Sequence, residues 1–444
     1  MRPSVSFAEA PRFVWVSDTV APVHLVVVAL LVLALPGCGL FGLSVACTGN
    51  DNCPGDAVCV DGLCIKGAAE GEGEGEGEGE GEGEGEAFVV GPRPRKPCGQ
   101  NAGDGCSDTN RTGGDDCSAD CVAEETRCGL SVPSTLPATA GIVGGSGGAG
   151  CFATIGAAIA AVDVGETVYV GPGTYVSETF PLTPGGPIIG ASADQVIIGS
   201  NAITTALVEF PVDTDIAHVT LTGGPDNSFT VRIDRAVPHT IGLRDVVINA
   251  RANAVFVGDT HQVTMTRVAF NASGGDALFV SSGAAGAVVT IRDSVFDDAS
   301  LAVSSAIDLT LEHNHLPGNN GSTSWGFNAA GLEVTMRGNL LEGAPCQAVV
   351  NLAAGTFILR ENQFAQMNDL PCRAIQIDQG AVVSLSRTGT DEPNRFVGNT
   401  TDLQVVTATA IDARGVVWSN ADPCDGINLA AGASVQTDAG SCTP

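Results

Sequence analysis

Along the C-terminal two-thirds of the chain, apolar and polar positions alternate in short segments, each ended by Gly, Asn or Asp. That alternation is the mark of β-strands with one buried face. Aligned on one apolar residue, the segments are HVTL (Leu221), IGLRDVVI (Leu243), VTMTRVAF (Met265), VTIRDSVF (Ile291), LTLEHNHL (Leu311), VTMRGNLL (Met336), FILRENQF (Leu359) and VSLSR (Leu385). The anchors recur at a short, nearly even interval, within the range of solenoid repeats. A second apolar position falls five residues after most anchors, at Ile248, Phe270, Phe296, Leu316, Leu341 and Phe364. A third strand begins at Ala254, Ala277, Gln347 and Arg373. Two or three short strands per unit of this length predict one turn of a parallel β-helix. Turns stack about 4.8 Å apart, so like residues align in columns, and roughly ten turns make a rod about 45 Å long.

Two further patterns bear on this reading. Residues 154–162 show helical spacing instead, with Thr154 as N-cap and Ile155, Ile159 and Val162 at i, i+4, i+7. Asn314, Asn339 and Asn362 each stand three residues after an anchor, which predicts a stacked asparagine ladder at a bend of the coil. A leucine-rich repeat is the rival fold, since Leu309-x-Leu311-x-x-Asn314-x-Leu316 fits its consensus. The other units lack the Asn and carry no helix signal, which favours the β-helix.

The N-terminal third is patterned differently. Leu25 to Leu35 is an unbroken apolar run, suited to a signal-peptide core and short for a membrane span. It runs into Leu35-Pro36-Gly37-Cys38, which resembles a bacterial lipoprotein cleavage site and implies lipid attachment at Cys38. The leader is long and carries Glu9 and Asp18, which fits a true start further on, at a residue such as Val14 or Val20. From Glu70 to Glu86 glutamate and glycine alternate strictly. Like charges repel and Gly resists ordering, so a disordered, extended tether is expected, reaching at most roughly 60 Å.

Cysteine usage changes the picture of the region between. Fifteen Cys argue for an oxidising compartment. With Cys38 set aside for lipid, 14 remain. Cys47, Cys53, Cys59 and Cys64 fall in one short segment that needs disulfides to hold it. Five more, Cys98, Cys106, Cys117, Cys121 and Cys128, fall in a second. Five is odd, so one pairs outside its segment, and Cys151 is the nearest candidate. Within the rod, Cys346 and Cys372 share a local context one turn apart and make a candidate pair. Cys424 and Cys442 are left to close the C-terminal end. No His lies between residues 24 and 218, so a mixed zinc site with Cys117 and Cys121 is disfavoured. Asp104 and Asp115-Asp116 carry carboxylates of the kind calcium takes, without the alternation of a calcium loop. No cofactor or metal site is expected elsewhere.

These features divide the chain into a leader (1–37), an anchored Cys-rich segment (38–69), a Glu-Gly linker (70–97), a Cys-rich repeat (98–128), a flexible linker (129–150) and the β-helix (151–444).

Two resemblances add to this. The stretch DTNRTGGDDCSADC, from Asp108 to Cys121, resembles a short cysteine-rich repeat common in surface proteins of myxobacteria and their relatives. The blocks AAIAA, GETVYVGPGTY and ETFPL, between residues 157 and 182, resemble an uncharacterised family of bacterial surface β-helix proteins in the pectin-lyase-like group. That likeness implies a mainly β fold, a right-handed parallel β-helix with an N-terminal helical cap. It implies no reaction.

Charge and candidate chemistry then narrow the function. The 444 residues carry 50 acidic and 20 basic side chains, a net charge of −30. Such a chain does not attract phosphate backbones, so nucleic acid is excluded as a partner class, and pectin-like polyanions are repelled. The catalytic patterns of polygalacturonases and pectate lyases have no match: Gly-His-Gly is absent, and no Lys occurs beyond Lys96. The remaining weak catalytic candidates are Asp293, Asp297 and Asp298, with His313 one turn on. Asp293 and His313 both stand two residues after their anchors, so they are expected to stack. Nearby carboxylates would then raise the His313 pKa. The expectation is an exported lipoprotein at the outer membrane or cell surface, its rod binding a glycan or a surface protein. A polysaccharide lyase or hydrolase and a purely structural coat protein are the alternatives.

Overall fold

The computed structural model describes residues 57–60, 63–66, 91–93, 98, 106 and 117–444, apart from residues 147, 177–180, 201–205, 224–228, 235–236, 273–274, 298, 318–324, 343–347, 366–372, 379 and 390. The leader 1–37, Cys38, Cys47, Cys53, Glu70–Glu86, Asp104, Asp115, Asp116, Asp298, Cys346 and Cys372 lie outside the described residues.

From residue 141 onward the chain winds into a parallel β-solenoid of about 11 turns. Each turn lays down three strands, and each strand pairs in parallel with its counterpart one turn away. A first column runs through Val168–Val170, Ile188–Gly190, Thr214–Ala217 and the N-terminal parts of Thr240–Asn249 and Gln262–Asn271. It continues to Ser434–Thr437, where the antiparallel strand Gly440–Cys442 ends the ladder. The second column holds the C-terminal parts of the same long strands, then Val295–Asp297, His315–Leu316, Leu340–Glu342, Gln363–Ala365 and Arg395–Val397. The third runs from Ala206–Glu209 to Ile427–Leu429.

Period-two alternation decides what fills the coil. Leu243, Met265, Ile291, Leu311, Met336 and Leu359 stack directly over one another in the first column and are at most 1% exposed. The position five residues on forms the inner row of the second column. There Phe270 and Phe296 stack at 4.9 Å, and Phe364, Phe396 and Trp418 continue at 5.0 and 5.2 Å. Rings at one register of successive turns meet because the turn spacing is close to a stacking distance. Each fully buried side chain of this kind contributes about 1.5–3 kcal/mol. The spacing therefore aligned the units in true register from Leu243 on. Leu221 does not belong to that row: it pairs with Ile248 in the second column, and Ile216 is the residue under Leu243.

The bend between the first two columns is held by side-chain amides. Asn314, Asn339 and Asn362 are fully buried, and Asn394 continues the row. Each side-chain oxygen accepts the backbone N–H and the Nδ2 of the Asn one turn before: Asn339 from Asn314 at 2.9 and 3.1 Å, Asn362 from Asn339 at 3.0 and 2.8 Å. Each Nδ2 also donates to the anchor carbonyl of the preceding turn, such as Leu311 for Asn339 at 2.9 Å. Ser294 extends the row by donating its N–H to Asn314 Oδ1 and accepting from Val268 N–H through its hydroxyl. Backbone polar groups that a tight corner would orphan are thus satisfied. Among the described residues no leucine-rich-repeat helix returns between these strands. The Leu-x-Leu-x-x-Asn-x-Leu pattern arises because both folds bury the same alternation around one Asn.

The N-terminal cap is the helix Ile155–Ala161, where Thr154 Oγ1 accepts the Ala157 N–H at 3.2 Å and Ile155 and Ala158 are buried. One boundary moves. Residues 129–150, read from their Gly content as a flexible linker, instead supply the strand Leu130–Pro133 and the buried strand Gly141–Val143. Cys128 is bonded to Cys151 across this region, and Tyr169 Oη donates to Ser131 O at 3.3 Å. The glycines serve tight packing there: a Cβ on Gly145 would collide with the Cys128 backbone. Further disulfides join Cys98 to Cys121, Cys106 to Cys117 and Cys424 to Cys442.

Candidate functional site

The corner between the first and second columns concentrates the titratable groups. The residue two after each anchor turns the chain, and it does so in the left-handed region: His218, Asp245, Arg267, Asp293, His313 and Glu361 have φ between +50° and +58°. Gly338 takes the same place at +65°. A side chain there costs about 1–2 kcal/mol, so six non-glycine residues in one row need strong local contacts. The contacts are ionic and run along the rod axis. Arg267 Nε and Nη2 hold both Asp245 oxygens at 2.6 and 3.0 Å. Arg292 reaches Glu312 at 3.0 Å, and Arg337 holds Glu361 at 2.8 and 2.9 Å.

The N-terminal segment crosses this corner as a strap. Gly91 N–H donates to Gly338 O at 2.8 Å, and Arg93 N–H to Asp293 Oδ1 at 3.2 Å. Asp120, in the disulfide-bonded segment that ends at Cys121, reaches His218 Nε2 at 3.1 Å and accepts from Arg244 at 2.5 Å. The strap runs from later turns back to earlier ones, then enters the cap. Burial raises the Asp120 carboxyl, but His218 and then Arg244 outweigh it and hold the group well below its ordinary value.

Asp293 and His313 do share this corner: Gly338 lies against the His313 ring, and Asp293 bonds Arg93 one turn before it. Asp297 ends the second-column strand, four residues or about 13 Å further along the chain, above Asn271. The expected rise of the His313 pKa is not found. Burial and then the charge of Arg93 push the imidazole below its ordinary value, against the pull of Asp293, Glu312 and Glu361. Sequence reasoning counted the carboxylates and had no means of placing Arg93, remote in the chain, beside the ring.

Asp120, His218 and Asp245 place one ligand atom each within 4.8 Å of one another, the geometry of a three-ligand cation site. The donor set does not suit one. Arg244 stands 3.1 Å from the same His218 Nε2, and Arg267 already neutralises Asp245. The cluster is a docking contact between the disulfide-bonded segment around Asp120 and the rod. It escaped the sequence because Leu221, taken as the anchor, hid His218 as the residue two after Ile216.

A second stack lies at the opposite end of the first column. His239 and His261 rings stack at 5.8 Å, and His239 Nδ1 lies 3.2 Å from Asp213. His261 Nδ1 accepts the His239 backbone N–H at 3.1 Å; burial and then His239 push its pKa down. An open hollow at the cap is lined by Arg127, Leu136 and Cys151, and Arg127 is taken up by the Leu136, Pro137 and Ala138 carbonyls.

The third column is different in kind. Its central outward row reads Arg232, Phe256, Phe279, Ala302, Gly326, Asn351, Gln376, Gln404, Asn428 in strict register. After Arg232 the row carries no charge. Phe256 and Phe279 are half-buried, stacked at 5.9 Å with 14° between planes, and Phe229 lies 4.6 Å from Phe256.

No family model matches the chain, no curated protein matches it, and no solved structure matches it.

Proposed function

We propose that the protein is a lipid-anchored surface rod that binds a ligand on its side rather than transforming one. Cys38 carries the acyl anchor, the Glu-Gly run from Glu70 to Glu86 is the spacer, and the pectin-lyase-like solenoid is the displayed body. The observation that carries this reading is the strap. The corner that gathers the catalytic candidates Asp293 and His313 is occupied by the chain's own residues 91–93, with Arg93 and the paired Arg and Glu side chains around it. A catalytic acid–base pair needs substrate within hydrogen-bond reach of both groups. The ion-paired corner serves instead to seat the segment around residues 91–93 and 120, which leaves the third face, away from that corner, to a partner.

The test is retention against turnover. The Cys38→Ser chain, exported with its disulfides, is incubated with a panel of immobilised glycans and envelope proteins, and the supernatant is analysed for oligosaccharides. Retention without product is expected. Released oligosaccharide overturns the reading.

A further inference from the structure

Building on that reading, we infer that the outer face of the third column is the binding face and that its ligand is an uncharged polysaccharide lying along the rod axis. Three features of the row point to it. The central row offers apolar ring surface at one end, where Phe256 and Phe279 stack with Phe229 beside them and Arg232 over the Phe256 ring. It offers side-chain amides at the other, Asn351, Gln376 and Gln404, on three consecutive turns. Ala302 and Gly326 lie between, so the row dips in its middle; a Cβ built on Gly326 would meet nothing closer than 3.9 Å. Apolar ring surface and side-chain amides along one row are the two elements of a site for an extended molecule with C–H faces and hydroxyl edges.

The amides themselves point to a ligand. Asn351 Oδ1 and Gln404 Oε1 are shielded from solvent and have no hydrogen-bond partner among the described residues. Polar atoms in that state are rare. A ligand hydroxyl that reached either oxygen would supply the partner it lacks. Gln376 is already oriented, held by Arg373 at 2.7 Å and donating to Asp378 at 2.9 Å.

Charge and repetition choose the occupant. The row is neutral from Phe256 to Asn428, while the chain as a whole is at −30, so a polyanion is repelled and a neutral polymer is not. Like positions recur every turn, about 4.8 Å apart, which suits a polymer with its own short repeat. In a three-sided coil the third column faces away from the corner between the first two. That corner carries residues 91–93, the described residues nearest the C-terminal end of the Glu-Gly spacer. The face is therefore on the side of the coil away from residues 91–93.

The experiment is affinity electrophoresis of the Cys38→Ser chain in gels containing hydroxyethyl cellulose, dextran, galactomannan or polygalacturonate. Retardation in at least one neutral gel and none in polygalacturonate is expected. The pairs Phe256→Ala/Phe279→Ala and Asn351→Ala/Gln404→Ala should each weaken retention tenfold or more. Thr290→Ala/Thr310→Ala, on the outer face of the first column, should leave it unchanged. Melting temperatures accompany each variant, and the amide pair, which removes no ring packing, decides the matter if the Phe pair unfolds. A chain retarded by no neutral polymer, or face variants retarded as strongly as the parent chain, overturns the assignment. Capture by an envelope protein alone overturns it too, yet leaves the display reading standing; oligosaccharide release overturns the display reading instead.

Discussion

A single buried amide shows how the coil is held. Asn339 satisfies the Asn314 N–H, the Leu311 carbonyl and the Asn362 side chain at once. Replacing it by Leu strands several buried polar groups, so Asn339→Leu should destabilise the rod by about 3 kcal/mol or more, read from its urea midpoint. A change under about 1 kcal/mol would mean that the ladder is incidental. The left-handed corner gives an opposite prediction. His313 holds φ +52° with a buried Nδ1 that lacks a partner among the described residues, and the next turn uses Gly338 in its place. His313→Gly should hold or raise the melting temperature, while His313→Val should lose about 1–2 kcal/mol. Loss of stability in the Gly variant would show that the imidazole is needed for the fold. The ladder was legible in the sequence at Asn314, Asn339 and Asn362 because each sits three residues past an apolar anchor. Asn394 was not, because a longer turn places it well beyond Leu385, whose carbonyl it holds. The three Phe of the third column include those of the repeats AVFV and ALFV, but only register across turns shows them side by side.

At the scale of elements, the rod and the strap differ in what the sequence can show. Strands of neighbouring turns follow one another at a short, regular interval and betray themselves by periodicity. The strap meets the rod through contacts 124 and 200 residues apart, between Asp120 and Arg244 and between Arg93 and Asp293. No local pattern encodes such pairs; residues 129–150 are a separate case, reading as a linker from their Gly content although Gly141–Val143 begins the coil. The Asp120 contact makes the docking pH-dependent. Its folded pKa lies below the ordinary value near 3.8, so the contact contributes stability above that value and loses it as pH falls below about 4. His218 and Arg244 face it and compensate its charge, and the neighbouring Asp245 is itself paired with Arg267. Amide-exchange protection at residues 118–122, corrected for intrinsic rates, should be full at pH 6 and fall between pH 4 and 3. Asp120→Asn should be weakly protected at both. Protection that is unchanged at pH 3 would mean that Asp120 does not hold the repeat in place.

For the whole molecule, the surplus of acidic groups divides by place. Nine glutamates lie in the Glu-Gly run. Much of the rest sits at the corners and on the first column's outer rows, with Asp308 and Glu333 as exposed neighbours. The central row of the third face carries no charge from Phe256 to Asn428, although Asp276, Arg373 and Asp378 flank it. On the proposed reading, this distribution suits a body held off a surface of like charge, with the uncharged row free for a ligand. The most direct measurement of that arrangement is limited digestion of intact cells with a glutamyl endopeptidase. Cleavage within Glu70–Glu86 should release one soluble, disulfide-bonded fragment that runs to Pro444 and melts as the full chain does, and should leave an acylated stub beginning at Cys38 in the membrane fraction. No release from intact cells, or release without an acylated stub, would contradict display on a lipid tether.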